Sequence, residues 1–154
     1  MRNRLLGLGL WVFGSLAAGW VGSQFRPGEW YAALVKPAWT PPNAVFGPVW
    51  TILYVLMGVA AWLVWRRAGF SEARGPLWLF IAQLVLNALW SCIFFGAHEL
   101  LPAFVEIVVL WVAIAVTLVW FWRVVPAAGL LLVPYLAWVT FASALNFQLW
   151  RLNG

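Results

Sequence analysis

The sequence predicts an all-α membrane protein, a single domain built as a five-transmembrane-helix bundle. Three observations carry that expectation. Of the 154 residues, 66% are hydrophobic and only 8% are charged, with a mean hydropathy of +0.94; a soluble domain has roughly 45–50% apolar and about 25% charged residues, so water is not the solvent of this chain. The apolar residues gather into five runs, at 5–25, 44–65, 77–97, 100–122 and 127–150, each close to the ~20 residues that cross ~30 Å of hydrocarbon at ~1.5 Å per residue. None alternates polar and apolar residues as a barrel strand must, and an open strand leaves backbone groups unsatisfied in lipid.

The first run follows Arg2 and Arg4, and Ser15-Leu16-Ala17 resembles a signal-peptide cleavage site. The apolar stretch continues through Trp20 and Val21, beyond the usual 7–15 residues of such a signal, so an uncleaved span is expected. The pairs Ser15/Gly19 and Ala18/Gly22 have the spacing of small residues at close helix contacts, within the bundle or between protomers. A capping loop is expected at 26–43, because Pro27, Gly28, Pro37, Pro41 and Pro42 exclude continuous helix. The second run has Pro48 near its start and ends at a break over 66–76. The third ends at the pair His98–Glu99. The fourth takes Pro102 in its first turn and breaks at 123–126, and the fifth is expected to kink at Pro134.

Basic residues exceed acidic ones, nine to four, but they lie singly or in pairs at the ends of apolar runs. That pattern sets membrane topology and does not form a phosphate-binding stripe, which excludes nucleic acid as a partner. Arg2, Arg4, Arg66, Arg67, Arg74 and Arg123 fall on one side, and Arg26, Lys36 and Arg151 on the other. The richer side is expected in the cytoplasm with the amino terminus, leaving the capping loop and carboxyl terminus outside. Cys92 is the only cysteine, so no intrachain disulfide and no thiolate metal cluster is available.

Conventional catalytic groups are scarce. Glu106 is the one ionisable residue well inside a span, and it is expected as a protonated or hydrogen-bonded acid near the outer interface, with a ligand or proton-relay role as the alternative. His98 is the only histidine and sits at a surface turn, so haem ligation and a Ser/His/Asp arrangement are both excluded, and no Gly-rich phosphate loop occurs. Aromatic residues abound instead: fourteen Trp, three Tyr and eleven Phe. Trp11, Trp65, Trp78, Trp122 and Trp150 suit interfacial belts. Trp50 and Tyr54 lie one helical turn apart; Gln83, Asn87, Trp90 and Ser91 share a face of the third helix; Tyr135, Trp138, Ala142 and Leu145 share a face of the fifth. Asn87 is at the middle of its span, where an amide needs a partner from another helix or a ligand. The three faces either line one apolar cavity with polar handles or pack against each other, with Asn87 as interhelical adhesive.

The first loop carries a more specific pattern. Trp30-Tyr31, then Leu34, Lys36-Pro37, Trp39 and Pro41-Pro42, followed by Phe46, Pro48, Trp50 and Tyr54, closely resembles the signature of the TspO/MBR family, the tryptophan-rich sensory proteins, translocator proteins and peripheral-type benzodiazepine receptors. The resemblance continues through Gln83, Asn87 and Trp90, through Phe94-Phe95-Gly96, and through Pro134-Tyr135, Trp138 and Leu145-Asn146-Phe147, over nearly the whole chain. It implies a five-helix bundle in the bacterial cell envelope, commonly a homodimer, whose cavity under the first loop binds porphyrins such as protoporphyrin IX. Tyr31, Trp50, Asn87, Trp138, Ala142 and Leu145 match family pocket positions, and Tyr54 and Trp90 join them from the faces above. Indoles stack on a macrocycle at ~1–3 kcal/mol per contact by analogy with nucleobases, and Arg26 or Lys36 can meet propionates. No cofactor is required, since metal-free porphyrin needs no axial ligand.

Two departures stand out. Phe147 before Arg151 replaces the Tyr of the family's proposed cholesterol-recognition segment, which speaks against a sterol partner. Pro102 falls where animal relatives carry an aromatic pocket residue. The resemblance implies porphyrin binding for transport, sensing or disposal. The alternatives are a light-dependent porphyrin-degrading enzyme with Trp50 and Trp138 as electron donors, and a regulatory scaffold without a small-molecule ligand. No catalytic residue is assigned.

Overall fold

The computed structural model describes residues 2–154, with side chains from Arg4 onward. Six α-helices follow one another: α1 (Arg2–Ser23), α2 (Glu29–Ala33), α3 (Asn43–Glu72), α4 (Arg74–Ser91), α5 (Leu100–Val124) and α6 (Pro126–Asn153). Among the described residues five helices are long and apolar enough to cross a membrane, α2 being the short exception inside the capping loop. The protein is a multi-pass integral membrane protein. Leu5, Leu10, Phe13, Val85 and Val105 are all more than half exposed, which is the surface that lipid, not water, covers.

Helix ends depart from the expected bounds for local reasons. The second span runs on past Arg66 and Arg67, whose long side chains let a helix continue into the headgroup layer, and α3 is interrupted only at Gly69. That residue has φ 75° and ψ 163°, a conformation that glycine adopts without a Cβ penalty. The expected break at 66–76 is therefore much shorter, and Pro76 sits in the first turn of α4, where its missing N–H costs nothing. At the other end α4 widens into a π-helical turn at Cys92–Gly96, with Ala97 N–H bonded to Cys92 O at 2.9 Å. Pro126 begins α6 after the single linking residue Val125. The helix then continues through Pro134 without a break in its assignment, with the ring at an exposed position.

Two apolar cores stack along the bundle. The larger centres on Met57, Leu77, Phe80, Leu110, Phe121 and Tyr135; the smaller lies beneath the capping loop around Tyr31, Phe94, Leu100, Leu145 and Leu149. Close approach of α1 and α3 depends on Gly58, where a Cβ would lie 2.5 Å from Val12 Cα. The expected small-residue seam on α1 is used inside the bundle: Gly19 faces the Tyr54 ring and Gly22 faces Ser91, while Ser15 is fully buried and bonds back to Trp11 O at 2.9 Å. Of the expected belt tryptophans, Trp78 and Trp122 are exposed. Trp11, Trp65 and Trp150 are half-buried: Trp11 stands edge-on to Phe80 at 5.9 Å, Trp65 covers Gly7, and Trp150 lies against Phe147 at 5.9 Å.

Candidate functional site

Between the two cores, under α2, lies a cavity of about 520 Å³, within the usual ~300–1,000 Å³ of a small-molecule site. Tyr31, Trp50, Tyr54, Asn87, Trp90, Trp138, Ala142 and Leu145 all line it. They come from four elements, α2, α3, α4 and α6, which explains why no single stretch of sequence displays the site. The aromatic wall is ordered by ring contacts. Trp50 stacks on Tyr54 at 5.6 Å between centroids and stands perpendicular to Trp138 at 6.4 Å. Trp138 in turn meets Phe46 at 5.9 Å and Phe141 at 5.3 Å, and Trp90 leans on Phe94 at 4.9 Å.

The floor is a buried hydrogen-bond chain across three helices. Tyr54 Oη donates to Asn87 Oδ1, Asn87 Nδ2 donates to Tyr135 Oη at 2.8 Å, and Tyr135 Oη donates to Gln83 Oε1 at 2.6 Å. Asn87 thus finds its partners on α3 and α6 and still forms part of the cavity wall, so cavity lining and interhelical adhesion coexist. Such a chain holds each donor in one direction, because any other leaves a buried polar group unmatched. A second bridge runs from Trp90 Nε1 to Asn146 Oδ1 at 3.0 Å, and from Asn146 Nδ2 to Leu100 O at 2.9 Å. The Trp138 indole Nε1 is buried without a hydrogen-bond partner, an exception that buried donors seldom show.

The cover is held by its own contacts. Tyr31 is only 4% exposed and rests between Phe94 and Phe95, and burial pushes its phenol above the ordinary value of 10.0. Arg26 lines the cavity and, among the described residues, is the only charged one that does. Lys36 does not reach it: its ammonium donates to Ala32 O and Leu34 O, both at 3.2 Å, and sits 4.7 Å from the Tyr31 ring centre. Glu106 lies outside the cavity lining; it is buried, and neither carboxyl oxygen has a hydrogen-bond partner. Among the described residues no three metal-ligating side chains come together.

Several lining residues escape the face-by-face reading of the sequence. Phe94 and Phe95 enter through the π-helical turn, which shifts side chains off the α-helical rows. Asn146 and Phe46 stand within the motif-rich stretches and were legible as polar and aromatic residues there, but their direction was not. Gly19, Gly22 and Thr51 line the cavity through shape alone.

Residues 10–151 match the TspO/MBR family. The chain is 46% identical to the tryptophan-rich protein TspO of Chlorobaculum tepidum, over 99% of each chain. It is 48% identical to the translocator protein of Homo sapiens, over 86% of this chain and 82% of that one. To the tryptophan-rich sensory protein of Cereibacter sphaeroides it is 42% identical, over 86% and 82%. With that family match spanning almost the whole length, and the five-helix bundle around one aromatic cavity, the chain belongs to the TspO/MBR family.

Proposed function

We propose that the protein binds a porphyrin of the protoporphyrin IX type in the cavity beneath α2, for its transport, sensing or disposal. The observation that carries this is the convergence of Trp50, Trp90 and Trp138 on one apolar hollow with a single charged residue, Arg26, at its rim. A flat apolar macrocycle gains stacking from indole faces, and its acidic edge gains from one guanidinium at the mouth. The pairing of rim charge with ring-lined interior favours an anionic aromatic ligand over a sterol, which also fits Phe147 standing before Arg151 in place of a tyrosine. Titration with protoporphyrin IX tests this directly: saturable quenching of tryptophan fluorescence is expected, and a linear, non-saturating response equal to that of detergent alone would refute it.

The distance between Trp50 and Trp138, 6.4 Å between ring centres, favours a second activity of the same site. Both indoles line the hollow, where they can relay single electrons to a photoexcited macrocycle; dioxygen is the oxidant, cleaving one methine C=C bond of the ring so that its two oxygen atoms end as two carbonyls on the opened chain. Illumination of the complex then bleaches porphyrin faster than illumination in detergent alone; equal rates exclude the enzymatic reading and leave the binding reading intact. We further propose a homodimer in the bacterial cell envelope with the amino terminus in the cytoplasm. Supporting that orientation, Arg4, Arg66, Arg67, Arg74 and Arg123 sit at the bundle end opposite the cover, by the antiparallel alternation of the helices that carry them.

A further inference from the structure

The cover over the cavity is pinned to the bundle end, and the exposed part of the cavity lining lies along α1, α3 and the chain just after α1. Three contacts pin the cover at the bundle end. The Phe25 ring occupies the space left by Gly96, where a Cβ would approach it to 2.8 Å. Trp30 stacks flat on His98, 4.4 Å between centroids and 8° between planes. Val35 is clasped by Asn153 through two hydrogen bonds, at 2.9 and 2.8 Å.

The lateral wall differs. Lining residues on α4 and α6 are buried or half-buried, whereas the exposed ones belong to α1, α3 and the chain just after α1. Trp20 is 66% exposed although it lines the cavity, and Ser23, Asn43, Gly47 and Thr51 are exposed lining residues as well. The helix crossing explains the gap. α1 and α3 approach main chain to main chain at Val12 and Gly58, and Tyr54 fills the next space against Gly19. Nearer the cover the lining residues Trp20, Gly47 and Thr51 are exposed, and a Cβ placed on Gly47 would meet nothing within 4 Å. Thr51 lies eight residues into α3, ~12 Å along the axis, so the opening extends from the headgroup layer into the hydrocarbon.

We propose that the ligand enters and leaves sideways, from the bilayer through the seam between α1 and α3, while the cover stays closed. The ligand class that uses such a path is a membrane-partitioned amphiphile with an apolar body and one anionic edge. Arg26, at the covered end of the seam, holds that edge at headgroup level while the body slides between Gly47 and Trp20. Reaching the cavity this way needs no break in the three cover contacts.

The inference rests on the porphyrin reading for its probe, protoporphyrin IX, and the test separates the two. Binding is followed by stopped-flow tryptophan quenching as the protein in empty lipid nanodiscs is mixed with porphyrin-bearing vesicles, and release as the loaded nanodiscs are mixed with empty vesicles. Gly47→Trp and Thr51→Trp narrow the seam; association and dissociation are both expected to slow by about tenfold, as steric restriction of a docking path does, with the extent of quenching at saturation retained. Gly14→Ala, on α1 outside the cavity lining with nothing within 4 Å, is expected to keep the parental rates. A second protein, Val35→Cys with Asn153→Cys in a Cys92→Ala background, is oxidised to lock the cover, and its association rate is expected within about twofold of the reduced form. Unchanged rates in both tryptophan variants, or arrest of binding by the locked cover, overturn the lateral path while leaving the binding site in place. Absence of saturable quenching in the parental protein overturns the porphyrin reading, and the path with it.

Discussion

Asn153, in the last turn of α6, pairs with the main chain of Val35 as a strand neighbour would: its Nδ2 donates to Val35 O at 2.8 Å and its Oδ1 accepts from Val35 N–H at 2.9 Å. The same Nδ2 also bonds Leu149 O at 2.9 Å, so the side chain is held in the one orientation that serves both partners. Replacing Asn153 by Leu removes both loop bonds; at an exposed position these are worth about 1 kcal/mol each at most. The expected outcome is faster amide exchange over 27–42 with the helices unchanged, measured by hydrogen–deuterium exchange. Equal exchange in the parental protein and Asn153→Leu would show that the clasp does not hold the cover.

The buried chain Tyr54–Asn87–Tyr135–Gln83 predicts strong coupling. Asn87→Leu leaves two tyrosine hydroxyls without their amide partner, and interhelical hydrogen bonds in membranes contribute about 0.6 to 1.7 kcal/mol each. A loss of about 2 kcal/mol is expected from Asn87→Leu. Tyr135→Phe is expected to lose less, and the double variant to lose well below the sum, since both changes break the same bond. Thermal unfolding in a fixed detergent measures all three; additive losses would contradict a shared network.

Asn87 also shows how far the sequence could be read. Its mid-span position announced that an amide needed a partner, but whether that partner was a helix or a ligand depended on how α3, α4 and α6 turn about their axes, which periodicity does not settle. The five spans were legible because lipid imposes length and composition on each separately. Helix ends were less so: Arg66 and Arg67 marked a boundary by charge, yet the chain stayed helical until Gly69. Seven of the eight pocket residues meet because each faces the bundle interior in the period of its own spanning helix; Tyr31, in the capping loop, was legible only through the family resemblance. Phe94 and Phe95 did not follow, since the π-helical turn at Cys92–Gly96 leaves no mark in the hydrophobic pattern. Of Arg26 and Lys36, the two cations able to meet propionates, charge alone did not choose: Arg26 lines the cavity, while the Lys36 ammonium bonds two carbonyls of its own loop.

Glycines on α1 and α3 predict opposite outcomes for one substitution. At Gly58 a Cβ lies 2.5 Å from Val12 Cα and 2.9 Å from Trp11 O, backbone atoms that cannot rotate aside, so Gly58→Ala must push α1 away from α3. A loss of about 2 kcal/mol or more is expected, the range of overpacked cores. At Gly9 and Gly14 nothing lies within 4 Å, and Ala there is expected to raise stability by about 0.5 to 1 kcal/mol through helix propensity. Melting temperatures of the three variants decide it, and a Gly58→Ala protein as stable as Gly14→Ala would contradict the close crossing.

Tyr31 links the cover to pH. Burial raises its phenol above 10.0, so the folded cover holds the proton more tightly than the open one. The sign follows: its contribution is complete below about pH 10, the unfolded value, and is lost as pH rises through the raised folded value. Alkaline titration is therefore expected to show the Tyr31 phenolate forming above the ordinary value of 10.0, together with faster exchange over 27–42. Tyr31→Phe, which has no phenol to ionise, is expected to keep the cover closed at that pH; identical opening in Tyr31→Phe would assign the transition to another group.

Trp138 offers the cleanest separation of binding from folding. Its Nε1 is buried without a partner, so the indole holds its place by ring contacts with Phe46, Trp50 and Phe141 and not by hydrogen bonding. Trp138→Phe removes an unmatched donor and part of a ring; the two effects oppose, and the stability change is expected within about 1 kcal/mol. A stacked ligand nevertheless loses the larger part of an aromatic face, worth about 1 to 3 kcal/mol per contact, so protoporphyrin IX affinity is expected to fall roughly tenfold or more while the melting temperature of the empty protein holds. Trp122→Phe, on the exposed side of α5, serves as the control and is expected to leave binding unchanged. If Trp138→Phe and Trp122→Phe bind alike, the ligand does not rest on the wall formed by Trp50 and Trp138.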